Sequence, residues 1–172
     1  MTRLLLLRHA KSSWADPAME DHERPLAKRG ANAAPRMGRY ITDAGLVPDV
    51  ILSSDSVRTH ATVALVLPEL GPDPPPVLYE AGLYLASPTD ILARLHRLKS
   101  DVQTAMVVGH NPGLHVLALA LTGGGDADAL KRLAQKFPTA ALAVLTFPGK
   151  PWVNAKPGTG VLEAFVGPRD LG

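Results

Sequence analysis

The chain has 172 residues, with 18 Lys or Arg against 16 Asp or Glu, for a formal net charge of +2. That length predicts one domain spanning residues 1–172, and so mild a charge argues against nucleic-acid binding by bulk attraction. The absence of cysteine excludes disulfides, a thiol nucleophile and cysteine–metal sites, and no apolar run approaches the roughly 20 residues of a membrane span, so the expectation is a cytoplasmic protein with no membrane partner.

Residues 3–7 of "LLLLRHAKSSW" read as a buried strand that ends in a charged tip, Arg8 and His9. Residues 15–25 are a polar loop, in which Asp21, His22, Glu23 and Arg24 read first as solvated, with a loop bordering the site as the alternative; Arg24 and Arg29 read as supports for packing and capping rather than chemistry. Over 25–45 the apolar residues Leu26, Ala33, Met37, Tyr40, Ile41 and Ala44 are spaced for a helix, with Pro35 as a kink or a shifted start and Gly45 as the stop. A second strand is predicted at 49–54. Asp55 or Ser56 then caps a helix running to about residue 67.

"GPDPPP" (71–76) is a stiff connector before an extended segment at 77–81. A capped helix follows at 87–98, a buried strand at 104–110, and a helix beginning in "NPGLHVLALAL". The glycine-rich segment 122–128 reads as a turn, and "ALKRLAQKF" as a helix. The final strands fall at 140–147 and 160–166, separated by a Pro/Gly-rich loop over 148–159. There is no internal repeat. Alternating strands and helices predict an α/β fold, a three-layer α/β/α sandwich with a central, mostly parallel sheet.

In such a sheet, ligands bind outside the carboxyl ends of the strands. The predicted strand ends carry Arg8 and His9, Ser53 and Ser54 with Arg58 just beyond, Glu80, and Gly109 with His110. Two arginines at one rim repel each other unless an anion lies between them. Phosphate suits that gap, because guanidinium offers a planar fork to its oxygens. Helix starts after residue 55 and after Gly109 would add backbone donors. A neutral histidine held through one ring nitrogen can act as a nucleophile through the other.

"RHA" at 8–10, "SSDSVRTHAT" at 53–62 and "VVGHNPG" at 107–113 resemble the histidine phosphatase superfamily, whose fold is phosphoglycerate mutase-like. "HERPLAKRG" (22–30), "KFPTAAL" (136–142) and the small size are similar to its SixA-type phosphohistidine phosphatase branch. The resemblance implies that His9 attacks phosphorus and that Arg8, Arg58 and His110 bind the phosphoryl oxygens, with no metal or organic cofactor. It implies a phosphorylated protein or a small phosphorylated molecule as partner, and no large cap insertion. Glu80 lies where some members carry a leaving-group acid; an ordinary surface carboxylate is the competing reading. Ala61 departs from the glutamine common at that position. Beside phosphohistidine hydrolysis stand a small-molecule phosphomonoesterase and a non-catalytic phosphate-binding regulator.

His60, His96 and His115 fall in helical stretches and read as structural. Thr139 reads as the start of a strand, with an approach to the site as the alternative.

Overall fold

The computed structural model describes residues 1–149 and 151–172; position 150, within the predicted 148–159 loop, lies outside the described residues. The opening leucines lie on β1 (Thr2–Arg8). Leu4 and Leu6 enter one core, and Leu5 and Leu7 enter another on the opposite face. Both faces of the strand are covered, so it needs no polar alternation.

The remaining strands are β2 (Val50–Ser54), β3 (Val77–Glu80), β4 (Thr104–Gly109), β5 (Thr122–Gly125), β6 (Leu142–Phe147) and β7 (Gly160–Val166). They form one seven-stranded sheet in the order β3-β2-β4-β1-β6-β7-β5. All neighbouring pairs are parallel except those of β6, which runs antiparallel to β1 and β7.

Among the described residues, five α-helices cover the two faces: α1 (Lys28–Asp43), α2 (Val57–Val66), α3 (Pro88–His96), α4 (Gly113–Leu121) and α5 (Ala127–Gln135). Met37 and Ile41 of α1 and Val63 and Val66 of α2 join the Leu5 core. Ile91, Leu114 and Leu133, from α3, α4 and α5, join the Leu4 core. The result is the expected α/β/α sandwich. The hydroxyls of Ser56 and Ser87 cap α2 and α3 by accepting from the amides of Thr59 and Asp90.

Two local expectations change. Pro35 does not shift the start of α1 to itself: the helix runs from Lys28 through it to Asp43. The 122–128 segment is only partly a turn, because Thr122–Gly125 pairs with β7. Its glycines mislead for a steric reason. A Cβ on Gly123 would lie 2.1 Å from the Gly158 carbonyl oxygen, and one on Gly125 2.2 Å from that of Leu162. Glycine there permits a close backbone approach rather than marking a loop.

The sheet register brings the site residues to one rim. Arg8 pairs with Gly109, Ser53 with Val108, and Ser54 with Glu80. The helices that follow β2 and β4 start at this rim, and α1 packs tightly against the chain just beyond His9. The Lys11 carbonyl accepts from Ala27 N–H at 2.8 Å, and a Cβ on Gly30 would lie 2.3 Å from the same oxygen. Gly30→Ala must therefore push α1 away from that chain. The expected loss is about 1–3 kcal/mol, read as a lower urea midpoint at unchanged m-value.

Candidate active site

His9 follows the last residue of β1 and is 6% exposed. Its backbone N–H donates to the Gly109 carbonyl at 3.1 Å. Its ring Nδ1 lies 2.8 Å from the Ala10 carbonyl oxygen. A carbonyl only accepts, so Nδ1 carries the proton and Nε2 keeps its lone pair. Burial, chiefly, pulls the His9 pKa down to about 4; the Ala10 bond opposes this, and Arg58 and Arg8 add to it. The ring is neutral at physiological pH.

Both arginines of the rim are held by the fold. Arg8 Nη1 donates to the Phe137 carbonyl at 3.0 Å, and Asn111 Nδ2 donates to the same oxygen at 3.0 Å. Arg8 Nε is buried without a hydrogen-bond partner. Burial and the Arg58 charge lower the Arg8 pKa from its ordinary value. Arg58 stands on the first turn of α2, 4% exposed. Its Nη1 donates to the Asp21 carbonyl at 2.6 Å, and its Nη2 donates to Asp21 Oδ2 at 2.9 Å and to His110 Nδ1 at 3.2 Å.

Arginine can only donate, so His110 Nδ1 is an acceptor and Nε2 bears the hydrogen. That N–H donates to Ser54 Oγ at 2.8 Å. Burial, then Arg58 and His9, lower the His110 pKa to about 3. The two imidazole rings are 5.3 Å apart, centroid to centroid. Thr62 joins the strand ends to α2: its Oγ1 accepts from Ala10 N–H at 3.0 Å and donates to the Arg58 carbonyl at 2.7 Å.

His9, Arg58 and His110 thus meet at one place, with Arg8 beside them. Glu80 does not join them. Arg94 Nε donates to both of its carboxylate oxygens, at 2.8 and 3.0 Å, which ties the end of β3 to α3. The carboxylate that does reach the group is Asp21, from the loop read as solvated. The Tyr84 hydroxyl and the Arg58 guanidinium both donate to it and hold its pKa below the usual carboxylate value.

The sequence reading placed Asp21 in a loop that borders the site only as its second alternative, and it did not single out Tyr84. Neither lies on a periodic segment or at a predicted strand end. The one available signal for Asp21 was its position just before the "HERPLAKRG" likeness. Arg24 supports packing, as read. It is 3% exposed, donates to the carbonyls of Ser13, Asp16, Pro17 and Met19, and stacks 3.6 Å over the Trp14 ring. His96 and His115 bond to the Ala155 and Leu133 carbonyls, and His60 stacks on Tyr79. Thr139 precedes β6 and lines a neighbouring cavity.

Neutral imidazoles beside the buried Arg58 and half-buried Arg8 guanidiniums leave an excess of positive charge, which Asp21 offsets only in part. Arg8 Nε, like Arg3 Nε and Arg24 Nε, is a buried donor without an acceptor, and of these three it is the one beside the site. An oxyanion would satisfy it. The starts of α2 and α4 face the same rim and add positive dipole ends.

Comparison with known proteins identifies the family. Residues 4–84 match the histidine phosphatase superfamily (branch 1). An uncharacterized protein of Mycobacterium tuberculosis is 36% identical over 165 residues, covering 95% of this chain and 100% of its own. The crystal structure of a candidate phosphohistidine phosphatase SixA from Agrobacterium tumefaciens aligns with TM-score 0.80 and 30% identity, over 96% of this chain and 97% of its own. A protein given the same candidate name, from Nakamurella multipartitia, aligns with TM-score 0.82 and 27% identity, over 97% and 96%. The order of motifs, the sheet and the relatives converge: this chain belongs to the histidine phosphatase superfamily, in its SixA-like branch.

Proposed function

We propose that this protein hydrolyses phosphohistidine on other proteins, through a phosphoryl group carried transiently on His9. The observation that carries the reading is the His9 ring: neutral, with Nδ1–H bound to the Ala10 carbonyl and the Nε2 lone pair free. Nε2 attacks phosphorus as the bond from phosphorus to the departing nitrogen breaks. Because Nδ1 keeps its proton, the new intermediate is a phosphoimidazolium. Water then forms a P–O bond as the P–Nε2 bond breaks. The electron pair returns to Nε2 and His9 leaves as neutral imidazole, with the water protons passing to phosphate and solvent.

Arg8, Arg58 and His110 are the groups we assign to the phosphoryl oxygens. Two guanidiniums spread the equatorial charge of the transition state. An arriving phosphoryl group raises the proton affinity of His110, which converts its Nδ1 from acceptor to donor. Charge neutralisation then comes from side chains, and the reading calls for no metal or organic cofactor.

The placement of the carboxylates supports a nitrogen leaving group. An ester departs as an alkoxide and needs a proton at that moment. Phosphohistidine protonated on its distal ring nitrogen departs as neutral imidazole and needs none. Asp21 is held as an anion by Tyr84 and Arg58, and Glu80 is held by Arg94. We assign Glu80 to pinning α3 rather than to acid catalysis. A cytoplasmic setting is part of the same proposal, since response to phosphohistidine requires access to phosphorylated proteins there.

The test compares a protein phosphorylated on histidine with p-nitrophenyl phosphate. The reading expects kcat/KM at least about 100-fold higher on the phosphohistidine protein; preference for the ester contradicts it. His9→Ala should lose about 10³-fold or more in kcat, while Glu80→Gln should stay within about threefold of wild type. A Glu80→Gln loss as large as that of His9→Ala would make Glu80 the acid.

The titration of the rings gives a second prediction. A nucleophilic His9 must be unprotonated, so activity owed to it disappears as pH falls through about 4 rather than through histidine's ordinary value. In ring NMR spectra the His9 and His110 signals should stay constant from pH 8 to about 5 and move only near 4 and 3. His22, whose pKa is raised by Asp55 and then Glu23, should titrate above its ordinary 6.5. A His9 midpoint near 6.5 would remove the basis for a pre-deprotonated nucleophile.

A further inference from the structure

Beside the phosphoryl site lies a cavity of about 770 Å³ that none of its four residues lines. Its walls come from α1, the end of α5, the 136–140 segment and residues 167–172. Six cationic side chains border it: Lys11, Arg29, Arg36, Arg132, Lys136 and Arg169. Asp170 is the one acidic side chain among the lining residues. Arg132 already pairs with Asp128 and, at 3.5 Å, with Asp170. The other five cations have no ion-pair partner among the described residues. This is more unpaired positive charge than a net charge of +2 suggests, and it is gathered on one side of the rim.

The cavity and the site share a wall. The Phe137 carbonyl faces the site and accepts from Arg8 and Asn111. Two residues on, Thr139 lines the cavity, and Ala140, another lining residue, donates its N–H to the carbonyls of Arg8 and His9 at 3.1 and 3.0 Å. Lys11, on the cavity edge, is two residues from His9. The phosphoryl site and the cavity are thus adjacent, joined through residues 137–140 and through Lys11.

The two groups of cations differ in a way that separates their ligands. Arg58 is buried and held through both terminal nitrogens, and Arg8 is half-buried and held through Nη1, so both are positioned for a compact phosphoryl anion. Lys11, Arg29, Lys136 and Arg169 are exposed, sit on four separate segments, and ring a wide mouth. Charges so placed attract a broad anionic face and set its orientation, without caging one small ion. The aromatic residue of the lining, Phe165, is buried, so the cavity offers no platform on which bases could stack.

We propose that this cavity is the docking site for an acidic segment of the phosphorylated protein, and that it selects substrates carrying Asp or Glu near the phosphohistidine. The inference rests on the proposed phosphohistidine activity. It adds a recognition element that the phosphoryl site does not contain.

The test uses two synthetic peptides of equal length, each phosphorylated on one histidine with phosphoramidate. One carries four glutamates beside the histidine and the other four glutamines. Wild-type kcat/KM should favour the acidic peptide by about tenfold, mostly through KM, and 0.5 M NaCl should shrink that preference below about threefold. The triple variant Arg29→Glu, Lys136→Glu, Arg169→Glu should erase or invert it, while hydrolysis of free phosphoramidate stays within about twofold of wild type. Unchanged phosphoramidate hydrolysis also shows that the variant folds.

Binding of the unphosphorylated acidic peptide, by fluorescence anisotropy, keeps the two proposals apart. It should be weakened about tenfold or more in the triple variant whether or not phosphohistidine is the substrate. If neither phosphopeptide is turned over but this binding difference appears, the cavity assignment stands and the activity reading falls. Equal handling of both peptides by wild type, or a triple variant that keeps its preference and its affinity, overturns the docking site. Tighter binding of a single-stranded oligonucleotide of equal charge overturns it in favour of nucleic acid.

Discussion

One hydrogen bond, from His9 Nδ1–H to the Ala10 carbonyl, constrains everything the site can do. It fixes the tautomer and leaves a single ring nitrogen with an available lone pair. The bond forms because the backbone beyond β1 is itself held. His9 N–H is tied to Gly109, Ala10 N–H to Thr62, and the His9 carbonyl to Ala140 N–H. These anchors belong to β4, α2 and the approach to β6, so the orientation of one imidazole draws on three neighbouring elements. Gly30 adds a fourth, letting α1 press against the Lys11 backbone immediately downstream.

The electrostatics follow from the same crowding. Burial disfavours the charged form of both imidazoles, and the guanidiniums reinforce it. Arg58 would be costly to bury alone. Asp21 and His110 share its donors, and Tyr84 steadies Asp21 from the other side. The rim is thus a partly balanced cluster with a residual positive charge, in which Arg8 Nε is a buried donor without a partner. In the proposed reading an oxyanion completes it. Preorganisation of this kind places charge before the reaction requires it, which is where most electrostatic catalysis arises.

Much of this was legible in the sequence because strand ends are legible. Leu4–Leu7 announce a strand buried on both faces, and the polar tip that follows then has to lie at the rim. The same reasoning places Ser54, Arg58 and His110 there, and the register of β1, β2 and β4 sets them side by side. Asp21 and Tyr84 were not legible, because their position depends on how a loop and a short 3-10 turn fold back over α2. No periodicity encodes that. Glu80 is the converse case. Its place at a strand end was read correctly, while its pairing with Arg94 on α3 is a long-range contact that leaves no local trace. The glycines of β5 failed for a third reason, since their composition records the close approach of β7 rather than a turn.

The central claim concerns one atom, and the direct measurement is the site of phosphorylation. Rapid acid-free quench of the enzyme with a phosphohistidine substrate, followed by peptide mass spectrometry and 31P NMR, should find one phosphoryl group on His9, bonded to Nε2. A phosphoryl group on Nδ1, or on His110 in place of His9, would contradict the account.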